Sequence, residues 1–184
     1  MNLAVEPLDP KRHDRGAFSC GVPALDRYLR ETASQAAHAF RSQTFVLVDT
    51  ADPSAVMGFY SLAYHEYRDA ELDDVTARAL KVKSLNRIPT ILLGQLAVAS
   101  AWQGKKLGPM LLEHALRRSL IVACGLGGVA VVTDPIDDGA ARFYAKYGFA
   151  RLVPGVPRML LPMKTLRDVY PAIVEAAREP APVA

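Results

Sequence analysis

Residues 91–122 place three things in order: an apolar β-type stretch, a short loop and a helical period. The stretch is Ile91-Leu92-Leu93-Gly94-Gln95-Leu96-Ala97-Val98, and the loop is Ala99-Ser100-Ala101-Trp102-Gln103-Gly104-Lys105-Lys106. In the helical period from Leu107 to Val122, Leu107, Leu111 and Ala115 fall on one line with Leu112 and Leu116 beside it. A strand feeding a helix this way aims the unpaired amides of the first turn, and the positive end of the helix dipole (roughly half a charge), at whatever occupies the loop. Gly104 and Gly108 permit close backbone approach, and Lys105 and Lys106 add charge. The unit therefore reads as an anion site whose expected guest is a phosphate or pyrophosphate. In isolation the same residues also describe an ordinary helix start with exposed lysines.

Around this unit the chain alternates strands and helices. Leu3–Leu8 reads as a first strand, and Pro23–Phe40 as a helix with a break near Ser34, because Leu25, Tyr28, Leu29 and Thr32 recur at offsets of three and four. Thr44–Val48 and Ala55–Tyr64, separated by the turn-like residues 50–54, predict a β-hairpin. Asp73–Leu80 predicts a short helix leading into a basic loop, Lys81–Arg87. Val129–Thr133 predicts a strand, followed by a helix over Asp137–Tyr147 with Asp137 as N-cap and Gly148 as its end. Strands near Phe149–Val153 and Arg158–Met163 and a last helix from Leu166 follow, and residues 179–184 read as a frayed tail.

The length, 184 residues, suits one domain over residues 1–178. Cys20 and Cys124 make neither a disulfide framework nor a metal-ligand spacing, so no metal is expected and a reducing cytoplasm is. The longest apolar run, Leu120–Val132, is 13 residues and falls short of the roughly 20 that span a bilayer. The first residues lack the basic and apolar segments of a signal peptide. Net charge is +3, but residues 1–75 hold 7 basic and 12 acidic side chains, residues 76–118 hold 8 and 1, and residues 139–167 hold 6 and 0. Two basic stretches thus point to an anionic ligand or polyanionic substrate.

Gln103-Gly104-Lys105-Lys106-Leu107-Gly108 resembles the Q/R-x-x-G-x-G/A pyrophosphate loop of the GNAT acetyltransferases, with Phe143-Tyr144-x-x-Tyr147-Gly148-Phe149 following some thirty residues after it. Further matches narrow the resemblance to the GNAT toxins of type II toxin–antitoxin systems. These are Phe18-Ser19-Cys20-Gly21, Leu25-Asp26-Arg27-Tyr28-Leu29, Thr44-Phe45-Val46, Gly58-Phe59-Tyr60-Ser61-Leu62 and Ile88-Pro89. The resemblance runs from about residue 3 to residue 167. It implies an α/β (α+β) fold: a single acetyltransferase domain with a mixed central sheet flanked by helices.

It further implies acetyl transfer from acetyl-CoA to the α-amine of aminoacyl-tRNA, which blocks translation. Backbone groups of Ala97 and Val98 would pair with the pantetheine arm, and Gln103, Gly104, Lys105, Lys106, Leu107 and Gly108 would take the pyrophosphate, with Phe143 beside the cofactor. Tyr144 would be the general acid that protonates the departing thiolate; without the resemblance it reads as a core aromatic. Lys106 stands where the family has glycine. A glycine-only conformation there would strain a lysine, whereas ordinary helical backbone would let Lys106 extend its charge toward phosphate, and the second is expected.

No general base stands out among Glu113, His114, His65 and Glu66. An aminoacyl-ester amine needs none, because the ester lowers a pKa that already lies near 7.7–8.0. Arg78, Lys81, Lys83, Arg87, Arg142, Lys146, Arg151 and Arg158 are the cations available to RNA phosphates. The expected partners are aminoacyl-tRNA, a ribbon-helix-helix antitoxin and a second copy of the chain. Two alternatives stay open: a GNAT enzyme for a small-molecule or protein amine, and a catalytically weak module that binds an antitoxin.

Overall fold

Thr44, Phe45, Val46, Leu47 and Val48 form an unbroken buried run, the pattern of a strand covered on both faces. They lie in β2 (Gln43–Asp49), which is flanked by β1 (Leu3–Pro7) and β3 (Gly58–Arg68) in a seven-stranded mixed sheet of order β1-β2-β3-β4-β5-β7-β6. The remaining strands are β4 (Arg87–Val98), β5 (Ala130–Thr133), β6 (Ala150–Arg151) and β7 (Met159–Pro162). This computed structural model describes residues 1–68, 74–80, 82, 86–152 and 156–178. Lys81, Lys83, Asp73, Val153 and the tail 179–184 lie outside the described residues.

The chain forms two compact parts. The first comprises residues 1–63 and 93–115. Here β1 and β2 pair antiparallel from Leu3↔Asp49 to Pro7↔Phe45, and β2 and β3 from Gln43↔Leu62 to Leu47↔Gly58. Its core gathers Phe18, Leu29, Val46, Val48, Phe59 and Ala97. Phe18 meets Phe59 edge-on at 5.3 Å, and Tyr28 stacks on Phe59 at 6.1 Å. The segment expected as one helix over Pro23–Phe40 is α1 (Pro23–Arg27), a π-helical turn (Tyr28–Thr32) and α2 (Ala33–His38). The break thus falls before Ser34, and Leu29, Ala33 and Ala36 are all buried across it.

The second part comprises residues 64–92 and 116–184. In it β5 and β7 pair antiparallel from Ala130↔Pro162 to Thr133↔Met159, and the Val129 amide donates to the Pro89 carbonyl at 2.9 Å, tying the start of β5 to β4. Tyr67, Ala77, Val82, Ile88, Val132 and Leu160 fill its core. Strand β4 begins at Arg87, earlier than the expected Ile91, because Ile88 and Thr90 are buried strand residues. Helix α3 (Asp74–Leu80) precedes it, and α4 (Leu107–Leu126) runs through both parts. In α5 (Asp138–Ala145), the Asp137 carboxylate accepts from the Ala140 amide at 2.7 Å, as a side-chain N-cap does. Gly148 ends that turn at φ 87°. The last helix starts at Met163 and divides into α6 (Met163–Val169) and α7 (Pro171–Ala176), because Pro171 has no amide to continue the ladder. No helix among the described residues is long and apolar enough to cross a membrane.

The two cysteines differ in reactivity for a physical reason. Cys20 is buried, and its thiol is pushed up to about 11 by that burial and by the neighbouring Asp26 carboxylate, whereas Cys124 is exposed. A mild thiol reagent at pH 8 is therefore expected to modify one cysteine per native chain, Cys124, which mass spectrometry of the digest checks. The raised pKa also sets a sign. The native state holds its Cys20 proton where the unfolded chain has lost it, so this contribution to stability is full below about pH 8.5 and is lost as pH rises through 11.

Candidate active site

In the first part, β4 ends at Val98 and a 3₁₀ turn (Ser100–Trp102) delivers the chain to Gln103, which is extended at φ −63°, ψ 155°. The Gln103 side-chain nitrogen donates to the carbonyls of Cys20 and Val98, both at 3.0 Å. Two acceptors fix which end of the amide faces inward, so this side chain fastens the loop to its neighbours. The Ser100 amide donates to the Ser19 carbonyl at 2.8 Å, and the Ala99 amide to the Met57 carbonyl at 2.9 Å. Lys105 holds its ammonium 4.2 Å from the centre of the Trp102 ring, a cation–π contact.

Gly104 sits at φ 77°, and a Cβ built on it would meet no atom within 4 Å, so the backbone there faces open space. Helix α4 then starts at Leu107, leaving the Leu107, Gly108 and Met110 amides without an i−4 partner in the helix, while Pro109 has none to offer. These amides, the open backbone at Gly104 and the nearby lysines fit a pyrophosphate. Gly58 guards the adjoining strand. A Cβ there would lie 2.7 Å from Leu111 Cδ1 and 2.9 Å from the Ala97 carbonyl oxygen, so only glycine keeps the backbone of Ala97 in place.

Lys106 corrects an expectation. It lies at φ 61°, in the left-handed region, not in ordinary helical backbone. It stands between Gly104, itself at φ 77°, and the first residue of α4. A side chain in that conformation costs about 1–2 kcal/mol. Lys106→Gly is therefore expected to raise stability by about 1 kcal/mol, read as a higher denaturant midpoint at unchanged slope. Acetyl-CoA titration of the same variant weighs loop relaxation against the loss of one cation.

In the second part, Tyr144 lies on α5 and is buried, with Phe143 at 5.3 Å and Phe149 at 5.4 Å between ring centres. Its hydroxyl is hydrogen-bonded to Thr133 at the end of β5. Burial pushes the Tyr144 pKa above the ordinary tyrosine range, opposed by the Thr133 hydroxyl, which stabilises the phenolate. The phenol is thus fully protonated at neutral pH and has a fixed hydroxyl beside the oxygen that would lose the proton. Thr133 was not legible as a site residue; in sequence it is one more β-branched residue of a strand.

Arg158 lies within the second part. Its Nε donates to Asp134 Oδ1 at 2.6 Å and its Nη2 to Oδ2, while Nη1 reaches His65 Nε2 at 2.9 Å and the Tyr67 hydroxyl at 3.0 Å. The hydrogen bonds to Asp134 lift the Arg158 pKa above its ordinary range. A guanidinium cannot accept, so His65 Nε2 is the acceptor and the ring proton sits on Nδ1, 3.3 Å from Thr90 Oγ1. The Thr90 hydroxyl in turn donates to the His65 carbonyl at 3.1 Å. Arg158 is therefore spent on this network and not on RNA, and the His65 lone pair that a general base needs is occupied. Glu66 accepts from Arg87 and Tyr64, both at 2.9 Å, and His114 Nδ1 lies 2.8 Å from the Tyr60 hydroxyl.

The other cations expected to face RNA that are described all belong to the second part. Arg78, Arg142, Lys146 and Arg151 are exposed, Arg151 lying 3.7 Å from Asp138, and Arg87 pairs with Glu66 at the start of β4.

A family model described as an acetyltransferase (GNAT) domain matches residues 40–151, which contain the loop, Thr133 and Tyr144. The chain belongs to the GNAT acetyltransferase family. This GNAT chain is 31% identical over 173 residues to a probable toxin TacT of Sinorhizobium fredii, covering 90% of this chain and 93% of that protein. It is 34% identical over 155 residues to a tRNA-acetylating toxin of Mycobacterium tuberculosis, covering 84% and 89%. Among solved structures it is similar to AtaT complexed with acetyl-methionyl-tRNAfMet, with a TM-score of 0.82, 23% identity and coverage of 92% and 99%. A mutant of AtaT bound to the C-terminus of the antitoxin AtaR and acetyl-CoA aligns with a TM-score of 0.78 at 21% identity, covering 92% and 99%. At those identities the structural likeness speaks to the fold.

Proposed function

We propose that this GNAT protein is a toxin that acetylates the α-amine of aminoacyl-tRNA, with acetyl-CoA as donor, and so blocks translation. The observation that carries the reading is the buried, protonated Tyr144 hydroxyl hydrogen-bonded to Thr133 in a chain 34% identical to a tRNA-acetylating toxin. Acetyl-CoA, when bound, supplies an activated acetyl thioester. The Leu107 and Gly108 amides and the open backbone at Gly104 would hold its pyrophosphate, with Lys105 and Lys106 adding charge. Gln103 keeps that loop fastened, and Phe143 lies beside the tyrosine. Backbone groups of Ala97 and Val98 would pair with the pantetheine arm, and Gly58 leaves room for the Ala97 carbonyl beside it.

As the amine forms its C–N bond and the thioester C–S bond breaks, Tyr144 would give its Oη proton to the departing sulfur, and Thr133 would stabilise the phenolate. The proton shed by the amine nitrogen to solvent would be matched by one returned to the phenolate. The acceptor amine arrives substantially neutral, so the occupied His65 is no obstacle. Residues 1–178 act together as the acetyltransferase domain. Arg78, Lys81, Lys83, Arg87, Arg142, Lys146 and Arg151 supply charge for tRNA. The protein is cytoplasmic, forms a homodimer and is neutralised by a ribbon-helix-helix antitoxin.

The deciding experiment incubates the protein with radiolabelled acetyl-CoA and total charged tRNA, then identifies the labelled aminoacyl species. Label on the α-amine of an aminoacyl-tRNA is expected; label confined to protein or to small amines overturns the substrate.

A further inference from the structure

We propose that Lys11, Arg12, Arg15 and Arg30 form a second polyanion site, a basin on the first part of the chain that grips the phosphate backbone of tRNA. The inference rests on the tRNA reading above and adds a contact surface to it. Counted along the sequence, residues 1–75 are acidic; folding nevertheless brings these four cations around one concavity of about 490 Å³.

The basin is built on a fixed turn. His13 is buried, accepts the Asp9 amide on Nδ1 at 2.9 Å and faces Glu6 through Nε2 at 2.8 Å. The Lys11 amide donates to Asp9 Oδ1 at 2.8 Å. Arg15 is held by its own Nη1, which donates to the Arg30 carbonyl at 3.0 Å and to Ser34 Oγ at 2.9 Å. That grip joins the turn to the π-helical segment and sets the two arginines side by side.

Carboxylates lie close by as well: Asp14 lines the concavity, and Asp26 acts on Arg30. The Asp14 carboxylate accepts the Gly16 and Ala17 amides, at 2.9 and 3.2 Å, and Glu6 is shared by His13 and Arg12, the latter at 3.3 Å. Among the lining residues four cations stand against one carboxylate, Asp14, and three of the four are arginines, whose planar fork matches phosphate better than a point charge does.

The location favours RNA. From Gly16 to Cys20 is four residues, at most about 14 Å of chain. The Cys20 carbonyl is one of the two on which Gln103 of the candidate pyrophosphate loop is fastened. The proposed substrate carries its own polyanion, the tRNA backbone, which extends far beyond its aminoacyl end, and the basin lies on the same part of the chain as that loop.

The test measures binding of fluorescently labelled total tRNA across a salt series. It compares the native protein with the double variant Lys11→Gln/Arg12→Gln, in which both altered side chains are exposed. Arg30→Gln is an independent second variant, because the Arg30 carbonyl and not its side chain holds Arg15. Loss of two phosphate contacts is expected to weaken binding and to reduce the slope of log K against log salt by about 1.5. Affinity for acetyl-CoA and the melting temperature are expected to stay unchanged.

Equal affinity and slope in both variants overturn the proposal. So does a loss of acetyl-CoA affinity that dephospho-CoA does not share, which would assign the basin to the 3′-phosphate of CoA. Displacement of tRNA by polyglutamate as effective as by polyuridylate would assign it to an acidic protein segment and also overturns it. Failure of the native protein to bind tRNA at all overturns the tRNA reading itself.

Discussion

Tyr144→Phe is expected to lower kcat for acetyl transfer by about 10²–10⁴-fold while leaving the melting temperature and the acetyl-CoA dissociation constant close to native. The substitution removes one oxygen and keeps the ring that packs on Phe143 and Phe149. It also removes the phenol oxygen that pairs with the Thr133 hydroxyl, a cost of about 1 kcal/mol. Kinetic and structural consequences therefore separate. The pH profile gives a second check. Burial holds the Tyr144 pKa above the usual tyrosine value near 10, so kcat should persist through neutral pH and fall only as pH rises through that raised pKa. Thr133→Val withdraws the group that stabilises the phenolate, so it should move the alkaline fall still higher and reduce kcat below it. Native-like kcat in Tyr144→Phe would remove the tyrosine from the chemistry.

The largest stability effect is expected at Arg158. Arg158→Met keeps much of the side-chain bulk and removes every donor, leaving the Asp134 carboxylate, His65 Nε2 and the Tyr67 hydroxyl without the guanidinium that joins them. Breaking a fully buried ion pair costs about 3–5 kcal/mol. Asp134 is 44% exposed in its side chain and Arg158 22%, so water partly replaces what is lost and about 2–3 kcal/mol is the expected cost. For a chain of this size that lowers the melting temperature by about 5–10 °C. The pair lies in the register position next to Thr133↔Met159, so the loss should also loosen the end of β5, which carries the hydroxyl partner of Tyr144. A midpoint within 1 °C of native, measured by thermal unfolding, would mean that the network contributes nothing to stability.

The comparison of Arg158 with Asp137 explains why some of the site was legible and some was not. Asp137 acts on an amide three residues away, and local chemistry of that range is written in sequence order. The same holds for the positive φ of Gly148 and for the strand, loop and helix of residues 91–122, whose periodicity survives any tertiary arrangement. Arg158 meets a carboxylate 24 residues away and a histidine 93 residues away, and no spacing rule connects them. In sequence it was one more cation of a basic stretch. Lys106 failed for another reason: a lysine carries no local signal for the left-handed backbone it adopts, which residues other than glycine seldom occupy.

Charge shows the same division most plainly. The sequence alone determined the candidate anion loop, the Tyr144 helix and the two basic stretches, because each is read from residues close together in the chain, and it implied the acetyltransferase domain through its resemblance to a family. The tertiary structure alone decided which charges work together. It consumed Arg158 and engaged Arg87 inside the second part, gave Tyr144 its Thr133 partner, and assembled Lys11, Arg12, Arg15 and Arg30 within a segment whose linear count is acidic. Electrostatic interaction falls off with distance through space, over about 8–10 Å in physiological salt, and is indifferent to distance along the chain.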